Sequence, residues 1–549
     1  MKQLLFSFLF ITTTSVFSQW NVSSTINTSV AIAAKSQNNV HSVTDTKWGA
    51  IISWDDNRNS PANSTDIYAQ RMSNMGLPKW SVNGLAVCNN ASTQQSSAII
   101  DAGNGSAIIT WEDFRAGNYD IYAQKIDSSG NVLWTANGVA VCSKTNHQKN
   151  PKITADNNGG AIIVWEDSVN NFWDIYAQRI NASGVIVWTT NGVAICNVPN
   201  AQINPKIDSD DAGGAILTWQ DKRNNTDYDI YAQRIDGNGL VLWPANGVAV
   251  STAINTQSNP RIEPDGNNGA LIGWIDKRNA IDYNIYAQHI SDIGIAQWTS
   301  NGILICGAAN NQSALDMKYL GASGTAFTWK DSRTNTLSVY AQMISENGAI
   351  GSTTDGILLS NALKSNNPNI IRDDNGGAII AWQDSTVLGW DIKTQKISPG
   401  GIQWQAGGVM VSNAVNDQVN VSQVKDGNGG AIYIWEDYRN ANDYNLYAHH
   451  LFYNGSEVVG LNERSGTNLV QVHCFPNPVS PGSVIQLKNN VPGKQWQISI
   501  YDSFGKLLNE QTLKSDEAFQ INANNKAGVY FYIVKIENEF AKGSFIVTD

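Results

Sequence analysis

Charge is scarce in this chain, and what there is leans acidic. Asp, Glu, Lys and Arg supply 15% of its 549 residues, against roughly 25% in ordinary soluble domains. The formal net charge is −11. Such a surface repels a polyanion, which excludes nucleic acid and an anionic bilayer as main partners. Long apolar runs are also missing. The one candidate, Leu4 to Phe17, is broken at Thr12–Ser15 and falls short of the ~20 residues a span needs. With Lys2 before it and the small Val16 and Ser18 after it, the run reads as a secretory signal over residues 1–18, cleaved before Gln19. The mature chain is expected to carry no transmembrane segment.

Cysteine is sparse for an exported protein, with five in all. Cys88, Cys142, Cys196 and Cys306 fall at one recurring position, where other copies carry Ser251, Ser360 and Ser412. Equivalent positions on stacked sheets lie roughly 10 Å apart, too far for a bridge that needs Cα atoms within about 7 Å. No disulfide and no metal site is expected from them. Catalytic signatures are absent too: no His-Glu-x-x-His, no Gly-x-Ser-x-Gly and no phosphate loop. The six histidines (His41, His147, His289, His449, His450 and His473) are scattered. His289 and His450 stand where other copies have Arg71, Lys125, Arg179 and Arg234, and read as solvated. No catalytic residue, metal or cofactor is assigned, and the chain reads as a non-enzyme.

What the chain has in abundance is repetition. Trp54, Trp111, Trp165, Trp219, Trp274, Trp329, Trp382 and Trp435 recur at intervals of 53–57 residues, each followed two residues later by Asp. A fixed period of this size marks a repeat architecture. In the third copy a strand follows Asn150-Pro151, and Asp156-Asn157-Asn158-Gly159 turns tightly. Ala161–Glu166 is apolar on both faces and so is covered on both. Asp174–Ile180 is the third strand, and Val185–Trp188, continuing to Cys196, the fourth. Four short strands per copy, buried on both faces, make a β-propeller blade. The expectation is an all-β, eight-bladed β-propeller over residues 19–460, with an open solenoid or an array of small sandwiches as the alternative. The last copy lacks its outer element, while Trp20 and Ser29–Ala33 form an orphan of that kind. The N-terminus can therefore complete the last blade and remove the free sheet edges.

Two repeated features are candidate ligand contacts. The Trp-x-Asp unit continues to Arg58, Arg115, Arg223, Arg278, Arg333 and Arg439, with Val169 and Thr386 in the third and seventh copies. A charge pair recurring in six blades reads as part of the blade. Before the third strand stand Tyr119, Trp173, Tyr228, Tyr283, Trp390 and Tyr444, with Thr65 and Leu337 in the other copies. Flat rings on the longer loops suit sugar or peptide stacking, and these six are the candidate binding residues. Gly351, where a Trp is expected, and Lys393-Thr394, in place of Tyr-Ala, read as drift. The turn Ile126–Gly130 with Trp134 resembles the Asp-box hairpin of sialidase-type propellers, but its Gly-to-Trp spacing is one residue longer. That resemblance implies a hairpin and no sialidase chemistry.

After a polar linker, 461–469, a separate β-rich segment runs over 470–549. Phe475-Pro476-Asn477-Pro478, then Tyr501-Asp502 with Gly505-Lys506, then Gly528-Val529-Tyr530 and the closing Phe545-Ile546-Val547 resemble the type A C-terminal sorting domain of the type IX secretion system. That resemblance implies a small Ig-like β-sandwich, recognition by the type IX secretion machinery, a source among the Bacteroidota, and delivery through periplasm and outer membrane to the cell surface or medium. The expected function is an exported binding or scaffold module for a glycan or protein. The alternative is a propeller glycosidase or polysaccharide lyase, which would gather carboxylates or an Arg cluster from different blades around one pocket.

Overall fold

The protein was analysed as a computed structural model, which describes residues 20–21, 23–59, 65–169, 172–334, 336–351, 353–456, 473–475, 484–488, 495–501, 507–514, 519–520, 528–536 and 539–547. The signal segment 1–18, the linker 461–469 and the tail residues Pro476, Asn477, Pro478, Asp502, Gly505 and Lys506 lie outside the described residues. The chain divides into two compact units, Met1–Val459 and Gly460–Asp549.

The first unit is an eight-bladed β-propeller of antiparallel sheets. In blade 3 the strands are Gln148–Ala155, Ala161–Val169, Phe172–Ile180 and Val193–Cys196, hydrogen-bonded in that order. The segment Val185–Trp188 forms only an isolated bridge, Ile180 to Ile186, so the outer strand is shorter than the sequence suggests. Blade 7 adds a two-residue strand, Gly401–Ile402. The first strands of blades 1 to 8 begin at Gln37, Gln94, Gln148, Gln202, Gln257, Gln312, Ser365 and Gln418. They pack against one another in a ring, Gln418–Lys425 lying against Gln37–Thr44, and so line the central channel.

Each second strand is a wall between two blades. Ala50–Asp56 and its counterparts Ala107–Asp113 and Ala215–Asp221 are buried along their whole length. The eight repeat tryptophans are completely buried, and each burial is worth roughly 4–6 kcal/mol before entropy is counted. Trp54 lies opposite Tyr68 of the third strand, with rings stacked at 6.3 Å, and Trp219 opposite Tyr231 at 6.4 Å. In the segment before the outer strand a second tryptophan reaches across to the next blade. Trp80 Nε1 donates to Ser128 O, Trp134 to Ala182 O, Trp188 to Gly237 O and Trp243 to Asp292 O.

The N-terminal segment closes the ring. Thr28–Ala31 pairs antiparallel with Asn445–Leu451 and becomes the outer strand of blade 8. Trp20 takes the place of the missing outer tryptophan: it is buried, and its Nε1 donates to Asn74 O of blade 1 at 2.8 Å. Gly76, at φ +76°, leaves room for the Trp20 ring, since a Cβ there would sit 2.9 Å from it. Asn27 receives hydrogen bonds from Arg439 and Ser412, and its amide donates to Val411 O.

His449 of blade 8 stands where the other blades have a glutamine such as Gln70 or Gln178. Those amides hold the tryptophan before the outer strand in place, Gln70 Oε1 accepting from Trp80 N and Gln178 Oε1 from Trp188 N. Burial and the neighbouring His450 push the His449 imidazole down to about 4. A pKa depressed in the fold favours the neutral form, so its stability contribution is full above the ordinary value of 6.5 and is lost as pH falls toward 4. The loss can reach about 3 kcal/mol. Melting curves between pH 7 and pH 4 should show a flatter acid limb for His449→Gln than for the parent; equal slopes would refute this assignment.

The second unit has a three-stranded sheet, His473–Phe475, Val484–Lys488 and Phe519–Gln520, and a four-stranded sheet in the order Leu507–Leu513, Trp496–Tyr501, Gly528–Ile536, Glu539–Val547. The two sheets make a small Ig-like β-sandwich. Tyr530 is buried in it, and Trp496 donates its indole N–H to Lys514 O.

Candidate functional site

The Trp-x-Asp-x-Arg unit belongs to the blade. Asp221 is fully buried, accepts from Trp219 Nε1 at 2.8 Å, and receives Arg223 in a two-pronged pair at 2.9 and 2.6 Å. The Arg223 guanidinium stacks on Tyr231 at 3.6 Å and donates to Asn246 O. Arg58, Arg115, Arg278 and Arg333 repeat this set. In the two blades without the arginine a lysine from elsewhere takes over. Lys144 Nζ sits 2.9 Å from Asp167 and over Tyr176 at 3.7 Å, and Lys393 lies 3.2 Å from Asp384. Lys393 is therefore the charge partner of a buried carboxylate, and the reading of Lys393-Thr394 as drift is corrected. Thr394 is used as well, its hydroxyl within 3.0 Å of the buried Tyr433 hydroxyl.

The cysteines occupy the seam between blades. Arg115 Nη2 of blade 2 approaches Cys88 Sγ of blade 1 at 3.3 Å, and Arg223 approaches Cys196 likewise. Burial pushes the thiols of Cys88, Cys142, Cys196 and Cys306 up to about 12. All four are free, and among the described residues no His/Cys/Asp/Glu group is arranged to hold a metal ion.

The solvated reading of His289 and His450 is also corrected. His289 Nε2 lies 2.8 Å from Asp265 and His450 Nε2 2.9 Å from Asp426, as Arg179 pairs with Asp156 in blade 3. Burial alone would raise these aspartates. The histidine hydrogen bond and two backbone amides outweigh it and hold Asp265 and Asp426 below the usual carboxylate value.

The six aromatic candidates are half-buried on the long-loop face. The main chain beneath them joins blades: Gln148 N donates to Tyr119 O, Gln257 N to Tyr228 O, Gln312 N to Tyr283 O and Gln37 N to Tyr444 O. Tyr119 packs on Phe114 and His147, and Tyr444 on Tyr438. Lysines lie over three of the rings, Lys149 at 4.5 Å from Tyr119, Lys222 at 5.8 Å from Tyr228 and Lys277 at 5.1 Å from Tyr283. Trp173 is the second residue of the third strand of blade 3 and Trp390 the first of that of blade 7, and the Trp390 amide donates to Asp417.

The channel is where the eightfold repetition breaks. Each first strand carries a bulge at its third residue with positive φ, such as Asn39, Asn150, Asn204 and Asn259 at +52 to +56°. The bulge amides are latched by the preceding blade. Ser96 N donates to Asp55, Asn150 N to Glu112, Asn204 N to Glu166 and Asn259 N to Gln220. Blades 5 and 6 carry Ile275 and Lys330 at the latch position. Two residues past the bulge the side chains face the channel: His41, Ala98, Lys152, Lys206, Arg261, Asp316, Asn369 and Ser422 line one cavity of about 400 Å³. Arg261 pairs with Asp316 at 3.3 Å. One layer further from the long-loop face, Glu263 receives Lys318 Nζ at 2.8 Å and Tyr319 N at 3.3 Å. Burial raises the Glu263 carboxyl to about 7 against the pull of Lys318, whose own ammonium Glu263 keeps protonated.

None of these channel residues was among the sequence candidates. The signal was present as Asn-Pro-Lys, Asn-Pro-Lys and Asn-Pro-Arg at 150–152, 204–206 and 259–261. Three consecutive blades place a cation at one register, and the other five do not.

Comparison with known proteins gives three results. The family described as a secretion system C-terminal sorting domain matches residues 473–548. The chain is thus exported by the type IX system, to the cell surface or the medium. No curated protein matches it by sequence. Among solved structures it is similar to an α-L-arabinanase of Penicillium chrysogenum, at 11% identity over 56% of this chain and 94% of that one, with a TM-score of 0.33. An α-L-arabinofuranosidase of Fusarium graminearum is similar at 10% identity over 65% and 93%, TM-score 0.35. An endo-arabinase of Bacteroides thetaiotaomicron is similar at 13% identity over 50% and 100%, TM-score 0.27. All three are named as glycan-cleaving enzymes, and the expectation of a non-enzyme is corrected on this finding. The likeness carries no substrate over to this chain.

Proposed function

We propose that this exported propeller is a carbohydrate-active protein that takes a saccharide at the long-loop mouth of its channel and cleaves a glycosidic bond there. One observation carries the reading: two carboxyls from adjacent blades, Glu263 and Asp316, share the channel in different surroundings. Glycoside hydrolysis needs two carboxyls in different protonation states, and environments that differ are how a fold separates them. Glu263 is enclosed and pushed up to about 7, so near neutrality a large share carries the proton a leaving oxygen needs. Asp316 is tied to the Arg261 guanidinium at 3.3 Å and accepts a hydrogen bond from Ile370 N, contacts that hold its oxygens in place to activate water or attack carbon. The half-buried rings of Tyr119, Trp173, Tyr228, Tyr283, Trp390 and Tyr444 would flank a chain approaching the mouth, each offering part of an apolar face to a sugar ring.

The test is sugar release from a panel of neutral and acidic polysaccharides by the parent, Glu263→Gln and Asp316→Asn. Each variant should lose about 10²–10⁴-fold in kcat, a loss that persists at temperatures well below any melting point lowered by leaving Lys318 or Arg261 without its partner. Trp173→Ala and Trp390→Ala should raise KM and leave kcat alone. Failure of the parent to release sugar from any member of the panel, or full activity in both carboxyl variants, would refute the reading.

A further inference from the structure

The channel arc holds cations that its own acids do not match. At the register of Lys152, Lys206 and Arg261 the cavity wall contains one carboxylate, Asp316, and that is committed to Arg261. Among the described residues neither lysine Nζ has a carboxylate within ion-pair distance. Each is held by the bulge asparagine two residues before it, Lys152 by Asn150 Oδ1 at 2.8 Å and Lys206 by Asn204 Oδ1 at 2.9 Å. Those bonds steer the ammonium groups without neutralising them. The asparagines are steered in turn, Asn150 by Glu166 and Asn204 by Gln220. The arrangement is fixed before any ligand arrives.

From this geometry we propose that Lys152, Lys206 and Arg261 form an oxyanion site that binds the carboxylate or sulfate group of an acidic saccharide. It rests on the saccharide reading above and narrows it to charged glycans. Glu166 and Glu112 act on Lys152, and Glu166 and Asp316 on Lys206, only from beyond ion-pair distance, so the crowded like charges remain costly to keep in a narrow cavity. Burial, then Arg261 and Lys152, drive the Lys206 ammonium well below its ordinary value, and burial and Lys152 push the His41 imidazole on the same ring down to about 4. An oxyanion seated between the three cations removes that repulsion and gains charge-assisted hydrogen bonds. Arg261 offers a planar donor edge and the lysines single donors, a mixed set suited to a multi-oxygen anion. The remaining channel acids do not cancel the arc. Glu263 is taken by Lys318, and Asp208, whose carboxyl burial raises, lies one layer further in with Glu263.

The test uses the full chain and its Lys206→Met variant, which keeps length and apolar stem. Inorganic sulfate, a uronate oligosaccharide, a sulfated oligosaccharide and a neutral oligosaccharide are titrated calorimetrically, and melting points are taken with and without sulfate. A charged oligosaccharide should bind the parent and lose at least about tenfold in affinity in Lys206→Met, as expected for one charge-assisted contact. The uronate and sulfated arms decide which group the site prefers. Without ligand the variant should melt no lower than the parent, because repulsion is relieved. Sulfate should raise the parent's melting point and not the variant's. Charged and neutral oligosaccharides binding alike, with Lys206→Met neutral for both, would overturn the oxyanion site and leave the saccharide reading intact. Sulfate binding that depends on Lys206, with no saccharide bound at all, would keep the oxyanion site and overturn the saccharide reading. A variant that melts well below the parent, with unchanged ligand affinity, would make Lys206 a structural residue and overturn the proposal.

Discussion

A chain beginning at Lys35 will fail to hold its ring closed. Removing residues 20–34 takes away the outer strand of blade 8, the Trp20 ring and the Asn27 hydrogen bonds to Arg439, Ser412 and Val411. Loss of the Trp20 side chain alone is worth about 3–5 kcal/mol, and the unpaired strand edge and stranded Arg439 add to it. That approaches the 5–15 kcal/mol total stability of most folded domains. Trp20→Ala should lower the melting point clearly, and the truncated chain should melt lower still or unfold in stages. Equal melting of the truncated and intact propellers would refute the closure.

Asp221→Ala should be among the most damaging single changes in the propeller. It leaves the Arg223 guanidinium wedged against Tyr231 and Asn246 O with its counter-charge gone, and it strands the Trp219 indole N–H. Breaking one half of such a pair costs about 3–5 kcal/mol, while replacing both halves by apolar groups is often mild. Asp221→Leu with Arg223→Met should therefore recover much of the loss. Chemical denaturation of the single and double variants measures it, and a single variant within about 1 kcal/mol of the parent would show that the pair is dispensable.

The fold was legible because its cause is periodic. A tryptophan and an aspartate that return every 53–57 residues are visible without any structure, and the orphan Trp20 announced the closure. Lys144 was not legible as the partner of Asp167, because it lies 23 residues away and enters from the loop that follows the previous blade's outer strand. Only the folded seam brings it to the place that an arginine two residues on fills elsewhere. His289 and His450 were misread for a related reason: alternation along a strand places a side chain on a face but does not show the aspartate 24 residues earlier that waits there. The channel is not legible from what recurs. Its site is written in the departures from the repeat, at Lys152, Lys206, Arg261, Glu263 and Asp316.

The strand that completes blade 8 also sets an order on folding. Thr25 and Arg439, which meet in the finished ring, are 414 residues apart, so the N-terminal strand must wait until the last blade has been made. Until then the Asn445–Leu451 strand has an open edge, the kind of surface that recruits strands from other chains. Neighbouring blades can assemble locally, but the seam is a contact of the longest range in the unit, and such contacts form slowly. The half-made ring is thus the state most exposed to misassembly, and in a cell it is the state that a chaperone would most need to guard.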